Sequence, residues 1–269
     1  SEVPFADPPL VVRLGEGDGT FTTPPDSSVS GPPDVAADFD GDGDDDLARG
    51  EVSGAGFVRV LESNGDGTFV AVVGDVTRGR EVSDLAAFNG NGAPGLVAAS
   101  KDDGDVRILL NDGGGAFNAV ESAFSLPAAP TDVVVRDLEG DGDLDVVTAN
   151  AGSGDGRSVT RLVNDGQGRF TKRDPLIVDR IDDAGFIDTD VPKRVAVADV
   201  NGDGRRDIVT FNNPGLDVRT ISVLIAKADG TYTAPFRFDG GDAPFGEARL
   251  LVGELDGAGP VELVIAGHR

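Results

Sequence analysis

Cysteine, methionine and tryptophan are absent from the chain, and histidine and tyrosine occur once each. Without cysteine there is no disulfide, no thiolate metal site and no thiol nucleophile. The one histidine, His268, is the penultimate residue, a poor position for the base of a Ser/His/Asp arrangement. Carboxylate pairs for glycoside chemistry are compatible with so acidic a chain, yet most of the clustered carboxylates fall in one repeated loop. An enzyme is therefore not expected. No run approaches the ~20 apolar residues that cross a bilayer, so membrane insertion is not expected. The start, Ser1-Glu2-Val3-Pro4, has no signal-peptide pattern, and any export signal is expected to have been removed or to lie outside this sequence.

Positive charge is also scarce. Lys and Arg number 23 against 48 Asp and Glu, for a formal charge of −25. Nucleic acid and anionic membrane surfaces call for clustered basic residues and are not expected partners. Lysine occurs only as Lys101, Lys172, Lys193 and Lys227. An Asp-rich, Lys-poor surface suits a high-salt proteome, and a GC-rich genome gives the same Arg-for-Lys bias.

What is abundant is glycine, at 39 residues, with short Val, Leu, Ile and Ala runs bounded by Gly, Asp and Asn. That pattern is an all-β chain with tight turns. One segment repeats: Asp38-Phe39-Asp40-Gly41-Asp42-Gly43-Asp44-Asp45-Asp46-Leu47 returns at 137–146 and at 199–208. Weaker copies lie at 87–96 and 254–263, so copies starting at 38, 87, 137, 199 and 254 are separated by 49, 50, 62 and 55 residues. Between them sits a Gly-rich turn ending in an aromatic: Phe21, Phe69, Phe117, Phe170 and Tyr232. Each period reads as four short strands, the blade of a propeller. Those five aromatics, with Phe39 and Phe88, are expected in blade cores rather than as sugar platforms.

The chain starts with a third strand and its Gly turn, near Leu10–Leu14, and stops after a second strand at Glu262–Ala266. Joined end to end, the two pieces make a 53-residue period and would hide two sheet edges. The expectation is an all-β, five-bladed β-propeller of four-stranded antiparallel blades in one domain spanning 1–269. Pairing of N- and C-terminal strands in one composite blade would close it.

Calcium takes six to eight oxygens, and a loop with carboxylates at positions 1, 3, 5 and 9 and glycine at 4 and 6 wraps such an ion. The first copy offers Asp38, Asp40, Asp42 and Asp46 with the backbone carbonyl of Asp44. The third offers Asp137, Glu139, Asp141 and Asp145 with the carbonyl of Asp143. The fourth offers Asp199, Asn201, Asp203 and Asp207 with that of Arg205. One Asp-Gly run is an ordinary polar turn; three in register, with mutually repelling carboxylates, point to about three calcium ions. The second copy, with Ala87, Asn89, Asn91 and Gly95, has no charge and is expected to bind nothing. The fifth keeps Glu254, Asp256 and Glu262 but has Ala258 at position five, and is expected to be empty or weak.

At these loops the chain resembles the FG-GAP/VCBS repeat family, the calcium-loop propeller blades of integrin α-subunit heads and many secreted bacterial proteins. The resemblance covers essentially the whole chain. It implies structural calcium, an extracellular or cell-surface location, and adhesion, protein binding or self-assembly. Many members have seven blades, so five is a departure that bears on any transferred ligand site. A carbohydrate-binding propeller is the competing expectation, followed by an accessory domain of a larger secreted enzyme. Partner contacts are expected on the long excursion at 171–194, which holds Phe186-Ile187 among acids, and more weakly on the turn Asn212–Leu216.

Overall fold

The computed structural model describes residues 11–24, 33–50, 58–72, 82–89, 92–151, 157–178, 180–181, 187–188, 191–213, 219–240, 248–253 and 261–267. These form antiparallel strands and turns, and none of them is helical. Consequently no helix among them is long and apolar enough to cross a membrane.

Four sheets repeat one design. The first is Val35–Ala37, Asp46–Gly50, Val58–Ser63 and Phe69–Val72, paired in that order. The second is Asp84–Asn89, Pro94–Ser100, Asp105–Asn111 and Phe117–Ser125. The third is Pro130–Arg136, Asp145–Asn150, Ser158–Asn164 and Phe170–Lys172, with the short strand Leu176–Ile177 also pairing onto Ser158–Asn164. The fourth is Pro192–Ala198, Asp207–Asn212, Thr220–Leu224 and Phe236–Asp239. Three two-stranded sheets accompany them: Leu14–Gly15 with Phe21–Thr22, Arg180–Ile181 with Ile187–Asp188, and Ala248–Gly253 with Glu262–Gly267.

By compactness the chain divides into residues 1–98 with 108–121, and residues 99–107 with 122–269. In the first unit the core lies between the first two sheets, where Ala48, Val58 and Val60 meet Leu85, Leu96, Ala98 and Leu109 around Phe39. In the second unit the strand Asp207–Asn212 is buried along its whole length. Alternation explains how. Ile208 faces Val147, Ala149 and Val159 of the third sheet, while Val209 and Phe211 face Leu250 and Ile265 of the C-terminal hairpin. A strand covered on both faces reads as a continuous apolar run, as Ile208-Val209 and Val146-Val147 do. The first strands of the third and fourth sheets are also bolted together: the Val195 N–H donates to Asp132 Oδ2 at 2.7 Å, and Arg194 donates to the Thr131 carbonyl at 3.2 Å.

The expected position of the repeat aromatics holds in part. Phe39 and Phe88 are fully buried, Phe170 is buried, and Phe117 packs edge-on against Phe39 with ring centroids 5.4 Å apart. Phe21 departs from the expectation: it is 67% exposed, on a hairpin that pairs with no further strand among the described residues. The N-terminal strand is shorter than expected, Leu14–Gly15. Residues Phe186 and Pro214–Leu216 lie outside the described residues.

Buried polar side chains pair in a repeated pattern. Thr148 Oγ1 donates to Asn150 Oδ1 at 2.9 Å, and Asn150 Nδ2 donates to Ser158 Oγ at 3.2 Å and Thr160 Oγ1 at 2.9 Å. Thr210, Asn212, Thr220 and Ser222 repeat these bonds one sheet later. Every polar atom here is sealed from water, so each needs its partner. Asn150→Ala should cost about 1–3 kcal/mol, because it strands three buried hydroxyls. Urea denaturation should show this as a lower midpoint at unchanged m-value.

Candidate metal centre

Each Asp loop joins the first strand of its sheet to the second, and each Gly turn joins the third to the fourth, so loop and turn lie at the same end. The first, third and fourth loops share one hydrogen-bonded frame. The position-one carboxylate closes the loop on itself: Asp38 accepts from the Gly41 N–H at 2.7 Å through Oδ1 and from Gly43 at 3.1 Å through Oδ2. Asp137 does the same with Gly140 and Gly142, and Asp199 with Gly202 and Gly204. Such a wrap needs left-handed backbone at both glycines, φ 82° at Gly41 and 97° at Gly43, which residues with a Cβ rarely adopt.

The position-nine carboxylate is a clamp. Asp46 Oδ2 accepts from the Phe39 N–H at 2.8 Å and Oδ1 from Ser63 at 2.8 Å. Asp145 likewise takes Leu138 and Asn164, and Asp207 takes Val200 and Ala226. All three are buried. Each carboxylate thus ties the start of its own loop to the third strand, with lone pairs left for a cation.

In the first loop, carboxylate oxygens of Asp38, Asp40 and Asp42 lie within 4.8 Å of one another. Donors bound at about 2.3–2.6 Å to one calcium ion stand no more than about 5 Å apart, so this set fits the ion. It is the one group of three carboxylates so disposed among the described residues. The longer Glu139 and the amide of Asn201 replace Asp40 in the other loops. Both keep an oxygen donor at that position, charged in Glu139 and neutral in Asn201.

Position seven contributes differently. The Asp44 carboxylate points at its own sheet's turn, where a Cβ on Gly65 would stand 2.5 Å from Asp44 Oδ2; Asp143 crowds Gly166 in the same way. These side chains therefore lie against the turn, leaving the backbone carbonyl as the group position seven offers the loop centre. At the second loop Phe88 is buried as expected, while Gly90 and Asn91 lie outside the described residues, as do Glu254 and Asp256 of the fifth.

Glu62 is a neighbour that the loop sequence does not announce. Its carboxyl approaches Gly115 and Asp40. Desolvation first, then the charges of Asp40, Asp46 and Asp42, raise it above the ordinary Glu range. The second sheet's turn docks at the same place, with Asn111 Nδ2 and the Gly115 N–H donating to the Phe39 carbonyl at 2.6 and 3.1 Å. Asp40 is raised as well. The Asp42 N–H pulls it down, but desolvation and the charges of Asp42, Asp46 and Asp38 outweigh that bond. By contrast the turn residues Asp18, Asp66 and Asp229 are held low, first by the hydroxyls of Thr20, Thr68 and Thr231. Part of the acidity is thus turn chemistry already satisfied by threonine.

Residues 88–148 and 137–210 match the FG-GAP-like repeat. Residues 88–210 thus carry FG-GAP-like repeats, the family that the Asp loops resemble. No curated protein matches it. Among solved structures, a Bacteroides uniformis protein assigned provisionally as a 6-phosphogluconolactonase is 14% identical, with 76% of this chain and 56% of that one covered at a TM-score of 0.49. The Tc holotoxin pore of Photorhabdus luminescens is 20% identical, with 94% of this chain and 12% of that one covered at 0.46. A Bacteroides fragilis protein of the same provisional assignment as the first is 13% identical, with 88% and 78% covered at 0.41. The chain spans little more than half of the first and an eighth of the second. At these scores none carries an activity or an architecture over to these FG-GAP-like repeats.

Burial raises Asp145 to about 6, against two backbone N–H bonds that lower it and with the charges of Glu139 and Asp141 adding to the rise. Its folded pKa lies above its unfolded one, so metal-free protein gains stability from this group below about pH 4 and loses it as pH rises through about 6. A carboxyl 13C NMR titration in chelator should give a midpoint near 6. A midpoint near 4 would remove this contribution.

Proposed function

We propose that the chain is a calcium-stapled, five-bladed β-propeller in one domain, displayed outside the cell. In this reading it binds or assembles with protein and carries out no chemistry of its own. The observation that carries the proposal is the shared frame of the Asp loops, above all the three converging carboxylates of Asp38, Asp40 and Asp42. Calcium would be held by these with Asp46 in the first loop, and by Asp137, Glu139, Asp141 and Asp145 in the third. The Asp199–Asp207 loop shares the frame and is the third candidate.

When bound, the ion supplies positive charge to carboxylates that otherwise repel one another. The chain's own residues do the rest. The position-nine aspartates fix the loop to the third strand, and paired glycines let the backbone wrap. Five-bladed closure is supported by the strand inventory: the Leu14–Thr22 hairpin carries a Gly turn, and the Ala248–Gly267 hairpin spans the fifth Asp-loop copy. Paired, they would make one more four-stranded unit.

The absence of tryptophan favours protein over carbohydrate as the partner. A silent glycan array alongside protein capture would agree with that, and glycan binding would reverse it.

Elemental analysis of desalted protein should find at least two calcium ions per chain. An ion at a hundred times its dissociation constant adds about 2.7 kcal/mol. Two such sites should therefore put the melting temperature about 10 °C or more above its value in excess chelator. No bound calcium and no chelator effect would overturn the calcium reading.

A further inference from the structure

The fourth loop differs from the first and third most sharply at position seven. Position seven is Asp44 in the first loop and Asp143 in the third, but Arg205 in the fourth. The Arg205 side chain is 43% exposed, yet it does not point away from the loop. It folds back onto the ligand set and pairs with Asp203 Oδ2, while its Nε donates to the Ala226 carbonyl at 3.1 Å. Ala226 is also the residue whose N–H is clamped by Asp207 at 2.8 Å. The arginine is therefore held at two points, position five of its loop and the residue that Asp207 clamps.

The other donors are engaged as well. Asn201 Nδ2 donates to Asp203 Oδ2 at 2.9 Å, and Asn201 Oδ1 accepts the Asp203 N–H at 2.9 Å. Asp203 Oδ1 accepts the Arg205 N–H at 3.0 Å. The last two bonds recur in the first loop through Asp40 and Asp42; the Nδ2 bond is the fourth loop's own, because Asn201 brings a donor where the first and third loops have a carboxylate. Charge points the same way: the first and third loops each bring four ligand carboxylates and the fourth brings three, one of them neutralised by Arg205.

The accompanying turn is changed to match. Where Asp44 and Asp143 press against Gly65 and Gly166, the corresponding residue of the fourth sheet is Ala228. With no aspartate lying against that turn, a Cβ fits there.

We propose that the fourth Asp loop is closed by its own Arg205 in place of an ion, so that the chain takes calcium tightly at two loops and not three. This rests on the calcium reading for the first and third loops. A cation entering the fourth loop must displace a guanidinium from Asp203 and break the Asn201–Asp203 pair to take position three or five as a ligand.

The test is calcium counting by equilibrium dialysis across a range of free calcium, on the wild type, Arg205→Gln and Arg205→Lys. Each is also melted in excess chelator. The wild type should fill two sites, with any third needing at least tenfold more free calcium. Arg205→Gln should fill three sites of similar affinity and melt lower than wild type in chelator, having lost the internal counter-ion. Arg205→Lys keeps the charge and should stay at two. Three equal sites in the wild type, or two in Arg205→Gln, would overturn the proposal. No calcium in the wild type would instead overturn the calcium reading of the first and third loops. In that case an unchanged melting temperature of Arg205→Gln in chelator would sink the Arg205 closure too.

Discussion

The rest of the structure hangs on a buried carboxylate bridging two backbone N–H groups. Asp46, Asp145 and Asp207 each accept one bond from the residue after the loop's first aspartate and one from a residue at the end of the third strand or, for Ala226, just past it. A buried carboxylate is costly unless its oxygens are engaged, and these two bonds answer that cost while fixing the loop relative to the sheet. The first strand, the loop and the third strand are then held at one point. Everything the loop offers a cation depends on that point staying fixed.

The four-stranded repeat was legible in the sequence because its signals are local. Asp-Gly spacing marks the loop, Gly and an aromatic mark the turn, and Val and Ile runs mark the strands between. The Asp runs at 38–46, 137–145 and 199–207 lie between first and second strands, and carboxylate oxygens of Asp38, Asp40 and Asp42 converge. The position-nine aspartates were legible as members of the loop but not as clamps, since half of that role depends on a residue 17 or 19 positions later in the chain.

What the sequence did not disclose is non-local. Glu62 faces the first loop because the third strand of that sheet runs beside it, and the corresponding residues of the third and fourth sheets are Val163 and Ile225. No local pattern marks the side chains of Thr148, Asn150, Thr210 and Asn212 as partners, yet all four are sealed from solvent. Phe21 carried the same repeat signal as Phe170, but a repeat position sets where a ring lies along the chain. Whether it is covered depends on a neighbouring sheet.

The match between position seven and the Gly turn bears on how such a chain can be rebuilt. Asp44 goes with Gly65, Asp143 with Gly166, and Arg205 with Ala228. Each pair lies within one sheet, split between its first and second hairpins. Recombination with breakpoints between sheets carries both partners together and leaves them compatible. A crossover inside a sheet could set an aspartate of the third against the Ala228 of the fourth, whose methyl group would stand in the carboxylate's place. Gene duplication and chimaera building are thereby confined to whole sheets, and two residues more than twenty positions apart behave as one heritable character.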